Sequence, residues 1–387
     1  MRIAVLTSLY PTHVRPREGI FAERRWLLMR ARGHEVSVVQ PLPWAPLPFG
    51  PASWAELART ANHELRSGLE VVRPRYVHIP RCPRANARRF ARAGVRALLA
   101  RARPDVVVAD YAWPASAAAE LLVARGIPCV IHGRGSDVLQ VAGEAGLGSE
   151  LRAHLRAAGH WCAVSEDLVA RMNDLAGSQG GVLVPNGVDS ELFCIRDRAE
   201  CRAELNLPPT DPLVLVVGHL IERKDPLLAL AVFAEVHKST PTARLVFVGR
   251  GPLRDELERA ARERGLGDRI QFAGEADPQR LALWYGAANV LLLTSRREGR
   301  PNVVLEALAS GLPVVATDAG GTAELLRGIE GSLSVSREPA DLAVLVLSEL
   351  RTPRDRGALR SHGKAFGWER GLDALEALLE RAIGGSR

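Results

Sequence analysis

Several residue types and patterns that define common protein classes are scarce in this sequence. Its five cysteines are odd in number, widely scattered and without a C-x-x-C pair, which argues against a disulfide framework and against a zinc site. No stretch approaches the roughly 18 consecutive apolar residues of a spanning helix, and Tyr10 and Pro11 soon end the apolar start of the chain. We therefore expect a cytoplasmic chain with neither signal peptide nor transmembrane helix, whose cysteines are small, mostly buried residues.

Lysine is also scarce, and the basic residues are unevenly placed. Of the 387 residues, 47% are hydrophobic and 25% are charged, which is typical of a globular chain long enough for two domains. The net charge is +7, and its excess of arginine over acidic residues lies in the first 190 residues. The stretch Arg73–Arg103 contains ten arginines and no acidic residue, so it either binds an anionic partner or is a solvated face.

Short apolar strands alternate with helical patterns along the whole chain. Strands are predicted at 2–8, 34–41, 105–110, 128–133 and 160–165, and again, after a Pro-Asn-Gly turn, at 212–220, 243–249, 269–274, 288–295 and 313–318. The alternation predicts an α/β protein with two doubly wound, Rossmann-like parallel sheets that face each other across a cleft. We assign residues 1–190 to an N-terminal domain and 191–367 to a C-terminal domain. A final helix over 368–387 is expected to cross back to the first domain, and an alanine-rich helix is predicted at 114–125.

The densest signal for chemistry is the segment 294–321. Glu298 and Glu306 are eight residues apart, and a glycine and a proline between them force a loop before a helix that begins at Asn302. The first backbone amides of that helix, at residues 302 to 304, would point at an anion such as phosphate. Two carboxylates beside an anion site suit a sugar nucleotide, because its sugar and its ribose both offer hydroxyl groups. The alternative is a surface loop followed by a glutamate on a helix face.

In this segment the sequence resembles glycosyltransferase family 4, whose members are retaining enzymes of the GT-B fold. The stretch EGRPNVVLEA is similar to the family motif of two glutamates separated by seven residues. Further segments agree in order and spacing from near residue 8 to the closing helix: SLYP, GIFAERR, ARGHEVSVV, VIHGRGSDV, VSEDL, VPNGVD, VGHLIERKDP, FVGRGPLRDEL and GWER. One such segment would be weak support, whereas the whole set is specific to the family.

The resemblance implies roles for individual residues of the C-terminal half. Glu298 matches the glutamate that contacts the donor sugar, Glu306 the one that binds the ribose hydroxyls, and Lys224 the lysine that holds the diphosphate. The family usually has an arginine where this chain has His219, which leaves the neighbouring Arg223 as a candidate to complete the diphosphate clamp. The alternative for VGHLIERKD is a strand followed by a solvated loop. Further donor-binding positions implied by the resemblance are Gly299, Asn302 and Val303.

In the N-terminal half the resemblance concerns one strand end and one loop, and the position of Asp110 at a second strand end adds a further candidate. His132 ends the strand PCVIH and matches the family histidine that faces the donor sugar, the alternative being a satisfied structural histidine. Asp110 ends another strand, where it is either a simple strand exit or a group that accepts the proton of the acceptor hydroxyl. Gly19 matches a glycine loop over the donor phosphates, where the lack of a side chain permits close backbone approach.

These residues predict a retaining hexosyltransferase that moves a sugar from a nucleoside diphosphate to a hydroxyl of a glycan, a lipid-linked molecule or a small molecule. The resemblance implies transfer without a metal or a cofactor, in exopolysaccharide or cell-envelope glycan biosynthesis. A sugar-nucleotide epimerase on the same fold is an alternative. A nucleic-acid-binding protein ranks last, because Arg73–Arg103 contains only Tyr76 and Phe90 for stacking on bases. We therefore expect no nucleic-acid partner.

The stretch 87–104, ARRFARAGVRALLARARP, resembles a basic amphipathic helix. Its apolar residues are Phe90, Val95, Leu98 and Leu99. It predicts either a reversible contact with an anionic membrane surface or an ordinary helix whose apolar side chains pack on the sheet. The expected location is accordingly cytoplasmic, with peripheral attachment to the inner face of the membrane as the first of these two alternatives.

Overall fold

The chain leaves its first structural unit once and returns to it at the end. The structure, a computed structural model, describes residues 1–44, 56–144 and 146–385. The first unit comprises Met1–Asn186 and Glu369–Arg387, and the second comprises Gly187–Trp368. The final helix therefore belongs to the first unit.

The first unit is organised around a parallel sheet. Its described strands are β1 (Arg2–Thr7), β2 (Glu35–Val39), β3 (Leu42–Trp44), β4 (His63–Arg66), β5 (Leu69–Val72), β6 (Arg75–Val77), β7 (Val106–Asp110), β8 (Cys129–Gly133), β9 (His160–Ala163) and β10 (Val182–Leu183). The main sheet has the order β10-β9-β8-β7-β1-β2-β5-β4, in which only the β4 and β5 pair is antiparallel. Strands β3 and β6 pair separately. The described helices are Ile20–Ala31, Pro83–Leu99, Ala112–Ala115, Ala119–Val123, Ser136–Gly143, Leu147–Ala158, Glu166–Ala176 and Glu369–Gly384.

The second unit repeats the architecture with a sheet that is parallel throughout. Its described strands are β11 (Leu213–Val217), β12 (Arg244–Val248), β13 (Ile270–Gly274), β14 (Val290–Leu293), β15 (Val314–Thr317) and β16 (Leu333–Ser334). Their order is β13-β12-β11-β14-β15-β16. The described helices are Arg198–Glu204, Pro226–Ser239, Arg254–Glu263, Pro278–Ala287, Asn302–Ala309, Thr322–Leu326, Pro339–Arg351 and Arg356–Lys364.

The central strands of both sheets are buried on both faces. Every residue of β7, β8, β14 and β15 is buried. Such strands need a helix on each face, and parallel neighbours need a helical crossover, so the sequence alternation and the observed topology have the same cause. The predicted fold class, two doubly wound Rossmann-like α/β domains, is confirmed.

The predicted alanine-rich helix at 114–125 is not continuous. The chain forms a short helix at Ala112–Ala115, a 3-10 turn at Ser116–Ala118 and a second helix at Ala119–Val123. Trp113, which precedes Pro114, has extended backbone angles (φ −105°, ψ 129°). Trp113 lies before the predicted segment, whose discontinuity is the 3-10 turn, where Ala115, Ser116 and Ala118 keep right-handed helical backbone angles.

The predicted basic amphipathic helix exists as Pro83–Leu99, but its apolar face is part of the core. Phe90, Val95 and Leu98 are 1%, 4% and 3% exposed, and only Leu99 among the four apolar residues reaches solvent, at 41%. The alternative in which the apolar side chains pack on the first unit is therefore confirmed for these three residues, and contact of the arginines with a membrane surface stays a prediction. Four arginines spaced four residues apart remain exposed on the opposite face: Arg84, Arg88, Arg92 and Arg96.

The cysteines are free thiols, and three of them, Cys129, Cys162 and Cys201, are buried. Cys82 is exposed and Cys194 is partly exposed. Across residues 1–44, 56–144 and 146–385, no helix combines the length and the apolar character needed to cross a membrane.

Arg32 attaches the last helix to the first unit. Its guanidinium Nη1 donates to Asp373 Oδ1 at 2.7 Å and to Glu376 Oε2 at 3.0 Å, and its Nη2 donates to Glu369. His34 Nε2 lies 2.7 Å from the other oxygen of Glu376. One residue at the end of the helix Ile20–Ala31 thus fixes three carboxylates along Glu369–Gly384.

We expect Arg32→Ala to lower the free energy of unfolding by about 1 kcal/mol, because a network of ion pairs contributes more than an isolated surface pair. Chemical denaturation measures the effect. The matched control is Arg171→Ala, which removes one exposed ion pair to Asp167 in the same unit and should change stability by less than about 0.5 kcal/mol. Equal effects of the two substitutions would show that the network does not hold the helix.

Candidate active site

The predicted sugar-contacting carboxylate, Glu298, is buried in a polar cluster of the second unit. It follows β14 and is 6% exposed. Lys224 Nζ donates to Glu298 Oε1 at 2.5 Å, and Ser295 Oγ donates to the same oxygen at 2.6 Å. Arg223 Nη1 donates to Glu298 Oε2 at 3.4 Å. The structure therefore brings together three of the residues predicted from sequence, and adds Ser295.

The charge of Glu298 is set by two opposing effects. Burial disfavours the ionised carboxylate, but the Lys224 ammonium, the hydrogen bonds from Lys224 and Ser295, and the Arg223 guanidinium outweigh it and hold the pKa of Glu298 below its usual value. The carboxylate is therefore ionised at neutral pH. An ionised carboxylate with two cations beside it can accept hydrogen bonds from sugar hydroxyls while the cations face a phosphate.

Arg337, which the sequence analysis did not single out, joins the loops that carry Lys224 and Glu298. Its Nη2 donates to Asp225 Oδ2 at 2.7 Å and to the Thr294 carbonyl at 2.9 Å, and its Nη1 donates to the Ser295 carbonyl at 3.0 Å. The Thr294 hydroxyl adds a bond to the Asp225 carbonyl at 2.8 Å. No local pattern marks Arg337, because its partners lie far from it in sequence.

The predicted diphosphate clamp is partly assembled. His219 is exposed and lines, with Gly218 and Lys224, a small cavity at the carboxyl end of β11. Arg223 is turned toward Glu298 and the Arg297 carbonyl, which it contacts at 3.1 Å. His219 and Lys224 thus share a concave surface, and the assignment of both to the diphosphate remains a prediction.

The helix Asn302–Ala309 begins where the sequence predicted. Pro301 precedes it, and the helix is followed by Ser310 and by Gly311 in the left-handed region (φ 65°). The amide of Val304 donates to the Pro301 carbonyl at 3.1 Å. The predicted anion site of three amides is therefore wrong for residue 304, and the amides of residues 302 and 303 remain its candidates, together with Gly299 in the preceding loop.

Glu306 lies on this helix and is partly exposed. Tyr285 Oη donates to Glu306 Oε2 at 2.8 Å. Burial disfavours the ionised form and raises the pKa of Glu306 to about 7, although the hydrogen bond from Tyr285 opposes that rise. The second carboxylate of the motif therefore has a different electrostatic environment from the first, which two cations keep ionised.

In the first unit, Asp110 is the centre of a buried network. Arg134 Nε donates to its Oδ1 at 2.6 Å, Arg134 Nη2 to its Oδ2 at 2.7 Å, and Trp26 Nε1 also to Oδ2 at 2.8 Å. Burial alone would favour the neutral acid, but the Arg134 charge holds the pKa of Asp110 well below its usual value. A fully buried carboxylate with a two-pronged arginine is a weak base, so this geometry favours the structural alternative over proton acceptance.

His132, at the end of β8, is fully buried beside that network. Its Nδ1 lies 3.3 Å from Asp110 Oδ1, but within the described residues neither ring nitrogen has a partner with hydrogen-bond geometry. Burial and the Arg134 charge lower the pKa of His132 to about 3, so the ring is neutral at physiological pH. His132 is thus a buried, neutral imidazole whose Nδ1 lies beside the Asp110 carboxylate.

Gly19 is the residue before the helix Ile20–Ala31 and has a left-handed backbone (φ 77°). A Cβ at this position would lie 2.7 Å from the Leu9 carbonyl oxygen. Close packing of two loops thus requires glycine here. Contact with donor phosphates remains a prediction. In the part of the chain that the structure describes, no group of three or more His, Cys, Asp or Glu side chains is placed to hold a metal ion.

Sequence comparison identifies the family of the chain. A family model described as Glycosyltransferase Family 4 matches residues 28–192, and one described as Glycosyl transferases group 1 matches residues 197–366. The chain is 31% identical over 336 residues to TuaC of Bacillus subtilis, a glycosyltransferase assigned to teichuronic acid biosynthesis, covering 84% of this chain and 83% of TuaC. The chain belongs to glycosyltransferase family 4. The family assigned from the sequence motifs is confirmed.

Solved structures show the GT-B fold of this glycosyltransferase. Sucrose-phosphate synthase from Thermosynechococcus elongatus superposes with a TM-score of 0.80 at 22% identity, covering both chains completely. HepE from Anabaena, in complex with UDP and glucose, gives a TM-score of 0.74 at 17% identity over 98% of this chain and 100% of HepE. At these identities the likeness concerns the fold.

Gly320 supports the Glu298 loop through its backbone. Its φ is 55°, and a Cβ would lie 2.2 Å from the Glu298 carbonyl oxygen. We expect Gly320→Ala to displace Glu298 and to lower glycosyl transfer at least about tenfold, as a misplaced catalytic group does. Steady-state kinetics measure the loss of transfer, and thermal denaturation measures any loss of stability.

The control is Gly328→Ala, where φ is 87° and a Cβ would meet nothing within 4 Å. Both alanines carry the strain of a left-handed residue, about 1 kcal/mol, whereas only Gly320→Ala also moves Glu298. Kinetics that are equal in the two variants would contradict the supporting role of Gly320.

Proposed function

We propose that this glycosyltransferase is a retaining, metal-independent hexosyltransferase that uses a nucleoside-diphosphate sugar and acts in exopolysaccharide or cell-envelope glycan biosynthesis. The observation that carries the proposal is the cluster of Glu298, Lys224, Arg223 and Ser295 in the second unit. It combines a buried ionised carboxylate for sugar hydroxyls with cations for a diphosphate.

In the proposed reaction the second unit binds the donor. Lys224, with His219 or Arg223, binds the diphosphate, and the amides of residues 302 and 303 add partial positive charge from a helix N-terminus. Glu298 accepts hydrogen bonds from the sugar, and Glu306 accepts them from the ribose. The cations stabilise the negative charge that develops on the diphosphate as its bond to the sugar breaks, which is the role a metal ion has in other enzymes.

The sugar carbon then bonds to the acceptor oxygen on the face that the diphosphate leaves. The acceptor hydroxyl gives its proton to the departing phosphate oxygen, so the protein needs no nucleophile and the configuration at the sugar carbon is retained. In the first unit His132 keeps a neutral ring beside Asp110. Asp110 keeps Arg134 in place and takes no proton in this scheme.

Two comparisons support the substrates proposed. HepE, whose fold is similar, was solved with UDP and glucose. TuaC, whose alignment covers 84% of this chain, is assigned to teichuronic acid biosynthesis. The acceptor is therefore proposed to be a glycan, carried on a lipid or free in solution.

The test is transfer from a panel of UDP, GDP, ADP and dTDP hexoses to glycan acceptors in buffer with EDTA, with the anomeric configuration of the product read by NMR. We expect retention, and at least about a 100-fold loss of kcat in Glu298→Ala and Lys224→Ala. The matched controls are Glu235→Ala and Lys238→Ala, which break an ion pair exposed on a helix of the same unit. Their kcat should remain at the wild-type value.

Inverted product, complete loss of transfer in EDTA, or wild-type kcat in both site variants would each contradict the proposal. Release of an epimerised sugar without acceptor would favour the epimerase instead.

The exposed arginine face of the helix Pro83–Leu99 is proposed to hold the enzyme at an anionic membrane surface by charge alone. Arg84 and Arg88 share Glu150 as a partner at 3.6 Å and 3.2 Å, whereas Arg92 and Arg96 have no ion pair among the described residues. Each arginine near an anionic leaflet contributes about 1 kcal/mol. Since the apolar face of the helix is in the core, attachment should be weak and reversible.

Co-sedimentation with phosphatidylserine vesicles at low and high salt tests this attachment. Binding is expected at low salt only and should be lost in Arg92→Glu/Arg96→Glu. The control Arg259→Glu/Arg262→Glu changes the net charge equally on exposed residues of the second unit and should leave binding intact. Recovery of the wild-type protein in the supernatant at low salt would exclude membrane attachment.

A further inference from the structure

We propose that Tyr285 is a positioning residue of the donor site, whose phenol orients the Glu306 carboxylate for the vicinal hydroxyls of the donor ribose. Tyr285 Oη donates to Glu306 Oε2 at 2.8 Å, across two helices and 21 positions of sequence. The inference rests on the proposed ribose role of Glu306. It assigns a function to a tyrosine outside the two-glutamate motif.

The pair is asymmetric in its exposure. Tyr285 is 0% exposed, whereas Glu306 is partly exposed. Within the described residues the phenol is the one hydrogen-bond donor to this carboxylate. One carboxylate oxygen is therefore held by protein, and the other is left for a ligand.

The phenol is fixed in place by its own surroundings. Its ring packs edge-on against Phe193 with 5.8 Å between the ring centroids. The helix Pro278–Ala287 that carries it is capped by Asp277, whose Oδ1 accepts from the Arg280 amide at 2.8 Å. At the other end Arg202 Nε donates to the Ala287 carbonyl at 3.0 Å. A donor on so constrained a helix can determine the rotamer of a partly exposed glutamate.

The phenol also affects the ionisation of Glu306. Burial and the nearby Glu306 charge raise the pKa of Tyr285 well above its usual value, so the phenol stays protonated and donates. The pKa of Glu306 is raised to about 7, because burial raises it by more than the hydrogen bond from Tyr285 lowers it. Without the phenol, Glu306 would therefore hold its proton to higher pH, and a protonated carboxyl accepts ribose hydroxyls poorly.

Charged groups on the neighbouring helices are engaged elsewhere. Three of them donate to or contact backbone carbonyls: Arg356 at Ser310, Arg360 at Ala309 and His362 at Leu325. Glu324 lies 3.8 Å from Arg300. The titration of Glu306 is therefore governed by burial and by Tyr285.

The experiment measures affinity for UDP, GDP and ADP and for their 2′-deoxy counterparts by calorimetry between about pH 6 and pH 9. The readout is ribose discrimination, the ratio of affinities for the nucleotide with and without the 2′-hydroxyl. Only the ionised carboxylate accepts both hydroxyls well, so discrimination in the wild type should rise with pH through a midpoint of about 7 and be weak below it.

Tyr285→Phe should move that midpoint upward by about one pH unit and lower discrimination at neutral pH about tenfold, since a hydrogen bond to a charged group is lost. In the Glu306→Gln background, Tyr285→Phe should have no further effect, because it acts through the carboxylate. Tyr76→Phe, which removes a phenol oxygen from the first unit, should keep the wild-type midpoint and discrimination.

The outcomes separate the two proposals. Full discrimination in Glu306→Gln, or none in the wild type for any nucleotide, would overturn the ribose role of Glu306. Loss of discrimination in Glu306→Gln with an unchanged midpoint and ratio in Tyr285→Phe would overturn the positioning role alone. Should Tyr285→Phe not fold, Glu306→Asp breaks the same bond from the other side, and full discrimination in that variant would also overturn the positioning role.

Discussion

The carboxylate of Glu298 is almost completely buried. A buried charge is tolerated only where neighbouring groups compensate it. Lys224 and Ser295 bind one of its oxygens and Arg223 the other, while Arg337 joins the two loops that carry the ion pair. The loops at the carboxyl ends of β11 and β14 are therefore held in register by electrostatics. The same charges form the surface that the donor is proposed to meet, so the stability of the site and its chemistry depend on one ion pair.

The first unit also has a buried carboxylate whose charge is compensated by neighbouring groups. Asp110 holds Arg134 and Trp26 in a fully buried network, and His132 beside it stays neutral because burial and Arg134 disfavour the imidazolium. A neutral ring can exchange hydrogen bonds with a sugar without the cost of desolvating a charge. The strand ends of this unit thus carry a buried neutral ring beside a buried ion pair, whereas those of the second unit carry the partly exposed cations Lys224 and Arg223.

Much of the architecture could be predicted from sequence because strand and helix periodicity is local. The two sheets, the loop at Glu298 and the helix that starts at Asn302 all follow from apolar runs and from glycine or proline at their ends. The 3-10 turn at Ser116–Ala118 was not predicted, because it differs from an α-helix in its hydrogen bonds rather than in its apolar pattern. Tyr285 and Arg337 could not be found in this way, because their partners are distant in sequence and only the folded chain brings them together.

The central claim is that Lys224 is shared between Glu298 and the diphosphate of the donor. Calorimetric titration of Glu298→Gln and Lys224→Ala with the nucleoside diphosphate product alone tests it most directly. Removing the carboxylate frees the ammonium and removes a negative charge, so Glu298→Gln should bind the diphosphate more tightly than the wild type, whereas Lys224→Ala should bind it at least about tenfold more weakly. Weaker binding in both variants would contradict the account.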